Sequence, residues 1–298
     1  MDMKKALVIG AGGNIGKPLV KYLKEKNYLV REVDIKPGWR ENYYVADITK
    51  PADLIKPFDF EPDYVFHLAA MVSRVTCEQS GSMCIDTNLY GTQNVIEFTK
   101  KCNAKLINFS TSEVYGPDNA VMEEDGKICP NNRYGLSKLL AEKLVEYEVE
   151  QHNLDAVTLR PFMMYDENED LGDHRSAMIR FAYNLYHNMP IEVHIGSARG
   201  WLHVSDAVRA IEAATRVEHY EAINIGNPVV HPIKELAAMI CKELGADEKL
   251  IRYVDLPSRM TLVKSPTLDK QREILKFEPK VPLEEGVKRV CAMIRKRG

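Results

Sequence analysis

The sequence predicts an α/β protein with a Rossmann-type, doubly wound parallel sheet and a smaller C-terminal lobe. Two-thirds of the chain alternates short apolar runs with amphipathic stretches, which is typical of βαβ units. A glycine cluster follows the first apolar run directly, as in dinucleotide-binding folds. After Arg160-Pro161 the alternation gives way to scattered helical patterns. Right-handed crossovers place helices on both faces of such a sheet.

The elements of the first part follow from these runs in order. Apolar, β-branched and aromatic residues predict strands, and apolar residues recurring every three or four positions predict helices. The predicted strands are Lys5–Ile9, Leu29–Ile35, Asn42–Ala46, Asp63–Leu68, Lys105–Ser110 and Ala156–Leu159, and the predicted helices are Gly13–Lys26, Asn88–Cys102 and Asn131–His152.

The second part contains mainly helices joined by short strands. Its predicted helices are Ser176–His187, Ser205–Thr215, Ile233–Leu244 and Leu283–Lys296, and its predicted strands are Ile191–Val193, Ala222–Ile225 and Leu250–Val254. We expect residues 1–160 to form a dinucleotide-binding domain, to which the chain returns at about 198–226. Residues 161–298 are expected to form mainly a substrate-binding lobe.

Composition excludes several classes of protein. The 298 residues carry a net charge of −3 and are 45% hydrophobic, which argues against a nucleic-acid partner and against disorder. No apolar run approaches the length of a membrane helix, so no membrane partner is expected. Six scattered cysteines without C-x-x-C spacing predict free thiols in a cytoplasmic protein and no metal site.

The glycine cluster predicts a dinucleotide site. Its spacing is Gly10-x-x-Gly13-x-x-Gly16, with Asn14 and Ile15 inside it. Glycines permit a tight turn and close approach of the backbone to a pyrophosphate, and the helix N-terminus offers free N–H groups. The position directly after the first strand favours this interpretation over a flexible turn.

Acidic residues after the next two strands refine the prediction. Asp34 ends the second strand, where a carboxylate accepts hydrogen bonds from the adenosine ribose and repels a 2′-phosphate. NAD is therefore favoured over NADP, although Lys36 and Arg40 lie nearby. Asp47-Ile48 follows the third strand and is expected beside the adenine amino group.

A tyrosine and a lysine predict the catalytic centre. Tyr134 and Lys138 lie one helical turn apart, where the ammonium would lower the pKa of the phenol. The pair Tyr22/Lys26 has the same spacing, so spacing alone is not specific. What distinguishes Tyr134 is the preceding strand, which ends in the polar run 110–113, because strand ends of an open parallel sheet face the ligand crevice.

These motifs together resemble the extended short-chain dehydrogenase/reductases, specifically the NAD-dependent nucleotide-sugar epimerase/dehydratase/decarboxylase group. The resemblance covers nearly the whole chain. It rests on Gly10/Gly13/Gly16, Asp34, His67-Leu-Ala-Ala70, Asn88-x-x-Gly91-Thr92-x-Asn94, Ser110-Thr-Ser-Glu-Val-Tyr-Gly116, Tyr134/Lys138, Arg160-Pro161 and Arg199-Gly-Trp-Leu-His-Val-Ser-Asp206.

The resemblance implies a role for each matching residue. Tyr134 would take a proton from a sugar hydroxyl, Lys138 would bind the nicotinamide ribose, and Thr111 or Ser112 would bind the reacting oxygen. Further implied NAD contacts are Leu68, Ala69, Ala70, Asn88, Ser110 and Pro161, and implied substrate contacts are Thr111, Ser112, Arg175 and Arg199.

The implied reaction passes through a transient 4-keto sugar, which is then epimerised, dehydrated or decarboxylated. Thr111-Ser112-Glu113 resembles the triplet of UDP-glucuronate decarboxylases and GDP-mannose 4,6-dehydratases, where the glutamate does acid/base work. The alternative for Glu113 is a charge that only tunes Tyr134. A net NAD-dependent dehydrogenase or reductase and a non-catalytic NAD(H)-binding protein remain alternatives. Relatives pair the helices 88–102 and 131–152 into a four-helix dimer interface, so the resemblance implies a homodimer for this chain.

The chain also departs from the group's pattern. Met163 stands where an asparagine usually reaches the substrate diphosphate. The segment 166–174 is acidic and would not attract a polyanion. Phosphate binding is therefore expected to depend on Arg175, Arg199 or other basic groups.

Overall fold

A computed structural model describes residues 3–117, 121–172, 176–257 and 261–297 of the chain. Its centre is a seven-stranded sheet in which every neighbouring pair is parallel. From one edge to the other, the strands are β11 (Ala222–Ile225), β6 (Ala156–Pro161), β5 (Lys105–Phe109), β4 (Tyr64–His67), β1 (Lys5–Ile9), β2 (Leu29–Asp34) and β3 (Tyr43–Val45). The predicted Rossmann-type fold is confirmed.

Helices cover both faces of this sheet. They are α1 (Gly16–Glu25), α2 (Pro51–Phe58), α3 (Arg74–Gln79), α4 (Gly81–Ile85), α5 (Gly91–Lys101), α6 (Arg133–His152), α7 (Ala177–Tyr186), α8 (Val204–Ala213), α9 (Ile233–Leu244), α10 (Asp269–Glu273) and α11 (Leu283–Arg297). The sequence predicted seven of these, within a few residues at most ends. It missed the shorter α2, α3, α4 and α10.

The expected helix at 88–102 is the clearest difference in extent. A π-helical turn at Asp86–Tyr90 joins α4 to α5, so helical backbone begins at Gly81. The polar residues of this turn interrupt the apolar periodicity from which the helix was predicted. The π-turn also brings Asn88 inward, where it is 1% exposed.

The strands of the central sheet are apolar on both sides because both sides are covered. All five residues of β5 are buried. One face packs against α1 and α8, through residues such as Leu19, Leu23 and Ile211. The other face packs against α2, α5 and α6. The carboxyl ends of the strands therefore meet at one edge, where the candidate site lies.

The C-terminal part adds small sheets and a hydrophobic cluster of its own. The parallel pairs are β7 (Met164–Tyr165) with β10 (Leu202–His203), and β8 (Ile191–His194) with β13 (Ile251–Val254). A third small sheet has β9 (Ala198–Gly200) between β12 (Val230–Pro232) and β14 (Val263–Lys264). Helices α7, α9 and α11 enclose the cluster. The chain after residue 161 also contributes β11 to the central sheet. This part of the sequence is therefore divided between the C-terminal lobe and the sheet.

Candidate functional site

The glycine loop after β1 is packed too tightly for side chains. Gly10 has a φ of +93°, and a Cβ there would lie 2.7 Å from the backbone nitrogen of Ala69. A Cβ on Gly16 would lie 2.1 Å from the Gly10 carbonyl oxygen. The loop therefore presents bare backbone at the N-terminus of α1, which has no side-chain cap. Such a terminus binds phosphate.

Asp34 is held beside this loop by two backbone N–H groups. Its Oδ2 accepts a hydrogen bond from Gly12 at 2.8 Å, and its Oδ1 accepts one from Lys36 at 2.9 Å. The carboxylate therefore lies at the carboxyl end of β2, next to the glycine loop, as its proposed contact with a ribose requires. Sequence reasoning named Gly13 but not Gly12, whose N–H fixes the orientation of Asp34.

Asp47 and Ile48 follow β3 on the same edge of the sheet. Burial is the largest single effect on the pKa of Asp47 and raises it, but hydrogen bonds from the Thr49 backbone and hydroxyl, together with Lys50, lower the pKa overall. Asn94 donates to the Ile48 carbonyl at 2.9 Å and fixes this segment against α5. The loop thus holds an ionised carboxylate directly after β3, and its contact with the adenine stays a prediction.

The remaining predicted cofactor residues line the strand ends. Leu68 and Ala69 both donate their N–H groups to the Ile9 carbonyl, which joins the end of β4 to β1. Ser110 is 3% exposed, and its hydroxyl has no hydrogen-bond partner among the described residues. The remaining predicted cofactor contacts lie in the glycine loop or at the carboxyl ends of strands, namely Asn14, Ile15, Ala70 and Pro161.

Asn88 is held by hydrogen bonds within the chain, and its expected contact with the cofactor stays a prediction. Its Oδ1 accepts from the Met71 N–H at 2.8 Å, and its Nδ2 donates to the Met71 carbonyl at 3.1 Å and to Ser137 at 2.9 Å. These bonds tie the segment after β4 to α6. Within the described chain, Asn88 thus positions residues 68–71.

Tyr134 and Lys138 lie on the first two turns of α6, facing the end of β5. Burial raises the pKa of Tyr134, while a hydrogen bond with the Thr111 side chain lowers it. Lys138 is 2% exposed, and burial lowers its pKa to about 8 in spite of the nearby Glu142. The expected lowering of the Tyr134 pKa by Lys138 is not seen among the chain's own residues, because burial dominates.

The close approach of α6 depends on its first turn. Asn132 caps the helix by accepting the Gly135 N–H at 2.9 Å, and its amide donates to Glu113 at 3.0 Å. A Cβ on Gly135 would lie 2.6 Å from the Glu113 carbonyl oxygen. Glycine at this position lets Tyr134 reach the turn that carries Thr111.

Glu113 lies among cations that the sequence analysis did not identify. Lys264 donates to its Oε1 at 2.5 Å, and the Arg74 guanidinium lies 3.6 Å from its Oε2. Burial alone would raise the pKa of Glu113, but Lys264, Arg74 and the Asn132 amide together lower it to about 2. Glu113 is therefore ionised at neutral pH, and its charge in turn opposes ionisation of Tyr134.

Lys264 also contacts a second predicted site residue. It is 6% exposed and donates to the Ser112 hydroxyl at 3.1 Å. Burial lowers the pKa of Lys264, and Glu113 opposes this shift. No local spacing in the sequence pointed to this lysine, because β14 is separated from the 112–113 turn by about half of the chain.

Arg199 is also near this cluster, but its guanidinium is largely engaged by backbone. It donates to the carbonyls of Ala198, Thr261 and Leu262 at 2.6 to 2.7 Å. Burial lowers its pKa to about 10, against the opposing effect of Glu113. Arg199 thus fixes the start of β14 and adds positive charge. The other predicted substrate contact, Arg175, lies outside the described residues.

Two buried histidines have structural hydrogen bonds. His67 bonds to Thr92 at 3.0 Å, and burial lowers its pKa to about 3. His203 bonds to Ser205 and to Glu167, both at 2.7 Å. Ligand atoms of His203, Glu167 and Asp166 lie within 4.8 Å of one another, but these hydrogen bonds already engage both ring nitrogens.

Comparison with known proteins identifies the family. The model of the NAD dependent epimerase/dehydratase family matches residues 6–226. The chain belongs to this family, which confirms the expected enzyme class and its dependence on NAD.

Individual relatives include both decarboxylases and epimerases. The chain is 28% identical to UDP-glucuronic acid decarboxylase 1 of Danio rerio, over 96% of this chain and 71% of the relative. It is 29% identical to a putative UDP-glucose 4-epimerase of Methanocaldococcus jannaschii, over 95% of this chain and 96% of the relative. The crystal structure of UDP-glucose 4-epimerase from Thermotoga maritima, 27% identical, superposes with a TM-score of 0.91 over 98% of this chain and 99% of that one.

The residues present fit NAD. The glycine loop presents bare backbone at the N-terminus of α1, because a Cβ at Gly10 or Gly16 would clash with the chain's own backbone, and Asp34 stands beside it. Within the described ranges, no helix is long and apolar enough to cross a membrane. The cytoplasmic location stays a prediction.

Proposed function

We propose that this enzyme oxidises C4 of a nucleotide-linked sugar and then decarboxylates it, the sugar being a uronic acid. The observation that carries the proposal is the position of Arg74, Lys264 and Arg199 around Glu113, beside Tyr134 and Thr111. One carboxylate among three cations leaves positive charge for an anionic group of the substrate.

The position of these cations favours an anion on the sugar over the nucleotide diphosphate. Tyr134 marks the place of the C4 hydroxyl. In a pyranose, C6 is attached to C5, the neighbour of C4, whereas the nucleotide is attached through C1 on the opposite side of the ring. Cations close to Tyr134 therefore meet a C6 carboxylate first.

The proposed first step is proton removal from the C4 hydroxyl by Tyr134. Thr111 hydrogen-bonds the phenol and orients it, and Lys138 adds a positive charge one turn away. When bound, NAD supplies a hydride acceptor and returns the hydride later. Gly10, Gly13, Gly16, Asp34 and Lys138 would hold it.

The second step belongs to the cluster around Glu113. A C4 ketone makes the C6 carboxylate a β-keto acid, which loses carbon dioxide with electrons delocalised onto the C4 oxygen. Tyr134 and Thr111 stabilise that oxygen by hydrogen bonding. Lys264, an ammonium whose pKa burial lowers, then donates a proton to C5. Glu113, ionised, keeps Lys264 charged and directed at the sugar.

Epimerisation at C4 is the second candidate. The similarity to a putative UDP-glucose 4-epimerase and to the UDP-glucose 4-epimerase of Thermotoga maritima favours it. Both candidates share Tyr134 and Lys138 and differ in the product.

The test is incubation of the enzyme and NAD with UDP-glucuronate and, separately, UDP-glucose, followed by mass spectrometry for the product masses and NMR for the configuration at C4. The proposal expects a UDP-sugar lighter by carbon dioxide from UDP-glucuronate alone. An unchanged mass with inverted configuration at C4 would show epimerisation. Turnover of UDP-glucose at the rate of UDP-glucuronate would contradict the role of the cations.

Two further proposals concern organisation. We propose that residues 1–160, with the return at about 198–226, bind NAD, and that residues 161–298 mainly bind the substrate. The buried cluster within the second part supports this division.

We also propose that the chain forms a homodimer through α5 and α6. Apolar side chains on this side of the molecule are exposed: Met83, Tyr90, Leu136, Leu140 and Tyr147. Pairing these helices with those of a second copy would bury them.

A further inference from the structure

Two cysteines lie beneath the candidate active site. Cys77 is on α3 and Cys84 is on α4, and both are fully buried. Their sulfurs lie beside two groups that are hydrogen-bonded to each other, the Met71 carbonyl and the Asn88 amide. Cys77 Sγ lies 3.4 Å from the Met71 carbonyl oxygen, to which Asn88 Nδ2 donates at 3.1 Å, and the same Nδ2 lies 3.6 Å from Cys84 Sγ. The two thiols are also close enough to hydrogen-bond to each other.

The two thiols have different surroundings. Cys77 donates to a carbonyl, which favours the protonated thiol, and burial together with hydrogen bonding to Cys84 raises the pKa of Cys77 to about 12. Cys84 also donates, to the Ser137 hydroxyl at 3.4 Å and to the Arg133 carbonyl at 3.9 Å, but it accepts from the Asn88 amide as well and interacts with the Lys138 ammonium. An N–H donor and a nearby ammonium both stabilise the negative charge on a sulfur that attacks an electrophile. Cys84 is thus the better nucleophile of the pair.

We propose that Cys77 and Cys84 form an oxidation site that hydrogen peroxide converts to a disulfide, and that this bond inhibits the adjoining active site. The Cys84 thiolate attacks one peroxide oxygen, an S–O bond forms, the O–O bond breaks, and hydroxide leaves as water after protonation. Cys77 then attacks the Cys84 sulfur, an S–S bond forms, and the S–O bond breaks with release of a second water. The two sulfurs lose two electrons, the peroxide gains them, and the two thiol protons end in the waters.

The bond would disturb groups around Tyr134. A disulfide requires the sulfurs to approach to about 2.05 Å, which displaces the hydrogen bonds to Met71 and Ser137. Asn88 holds Met71 at the segment after β4, where the cofactor contacts are proposed. Helix α3 begins at Arg74, which faces Glu113. Pulling α3 toward α4 would therefore move both the segment around Met71 and Arg74.

The experiment treats the full-length protein with hydrogen peroxide, then blocks free thiols under denaturing conditions and digests the protein for mass spectrometry. The expected result is a peptide pair joined through Cys77 and Cys84, with the loss of two hydrogen atoms, which dithiothreitol reverses. Cys129→Ser removes the exposed thiol and is the matched control, so it should give the same linked pair. Absence of the pair, or cross-linking of another combination, would overturn the proposal.

Two variants test the order of attack and the effect on activity. In Cys77→Ser, Cys84 should be trapped as a sulfenic acid by dimedone, and labelling of Cys77 in Cys84→Ser should be several-fold slower. The activity arm rests on the proposed function: wild-type turnover should fall at least tenfold with peroxide and recover with dithiothreitol, whereas Cys77→Ser should keep its turnover. Full turnover of the disulfide form would disprove inhibition. If the untreated enzyme shows no turnover on any sugar nucleotide, the proposed function fails while the linked pair still tests the site.

Discussion

Lys264 donates a 2.5 Å hydrogen bond to Glu113 and joins the C-terminal lobe to the turn after the fifth strand. The two residues are 151 positions apart, and both are largely buried. A buried ion pair of this kind is a weak source of stability, because desolvation offsets the attraction. Its position beside Tyr134 and Ser112 instead suggests a chemical purpose, in which each partner fixes the protonation state of the other.

Substitution of Lys264 tests that purpose. Lys264→Met should reduce formation of the decarboxylated product by about 10²-fold or more, the usual size of a general-acid contribution. Oxidation at C4 should continue, so reduced cofactor or a 4-keto sugar should accumulate. Product masses and cofactor absorbance measure both effects. Lys264→Arg, which keeps the charge, should retain more product formation than Lys264→Met; equal rates for all three proteins would rule out a role in catalysis.

Tyr134→Phe isolates the first step. Removal of the phenol should abolish turnover and leave NAD bound, because the proposed NAD contacts lie on the glycine loop, Asp34 and Lys138. Turnover is followed by product analysis, and NAD binding by calorimetry. Tyr22→Phe is the matched control, since Tyr22 has a lysine at the same spacing but lies on the first helix. Normal activity of Tyr134→Phe would refute the general-base role.

The pH dependence of stability tests the electrostatics of Glu113. A glutamate in an unfolded chain has a pKa of about 4.3, whereas the pKa of Glu113 in the folded protein is lowered to about 2. Such a group stabilises the fold above its unfolded pKa, and the stabilisation is lost as the pH falls through the folded pKa. Thermal unfolding between pH values of about 5 and about 2 should therefore show a steeper loss in the wild type than in Glu113→Gln. Parallel curves would mean that Glu113 has an ordinary pKa.

Sequence reasoning placed residues correctly in the fold where their pattern is contained in a short stretch of the chain. The glycine loop, Asp34 and the Tyr134/Lys138 pair are each defined by short spacings next to a recognisable strand or helix, and the structure brings them to one edge of the sheet. Lys264 and Arg74 were missed because their meeting with Glu113 depends on how distant segments pack. Short helices such as α3 gave no periodic signal. Asn88 lies where expected, but its hydrogen bonds run to Met71 and Ser137.

Glycine substitutions measure how tightly the proposed cofactor loop is packed. Gly10→Ala should destabilise the protein and weaken NAD binding, because the new Cβ would lie 2.7 Å from a backbone nitrogen. Gly245→Ala is the control: its φ is +69°, but nothing lies within 4 Å of a Cβ there. That variant should cost only the left-handed backbone strain of about 1–2 kcal/mol. Chemical denaturation compares the two, and an equal cost would show that the loop yields to accommodate a side chain.

The proposed homodimer is tested by a charge on the exposed side of the sixth helix. Leu136 and Leu140 are exposed and one turn apart. A glutamate at position 140 would have to be buried without a partner in a dimer, so Leu140→Glu should shift the mass in solution scattering from two chains toward one. Val229→Glu places the same charge at an exposed apolar position of the C-terminal part and should leave the mass unchanged. A wild-type mass of one chain would disprove the dimer, and a dimer that survives Leu140→Glu would place the interface on another surface.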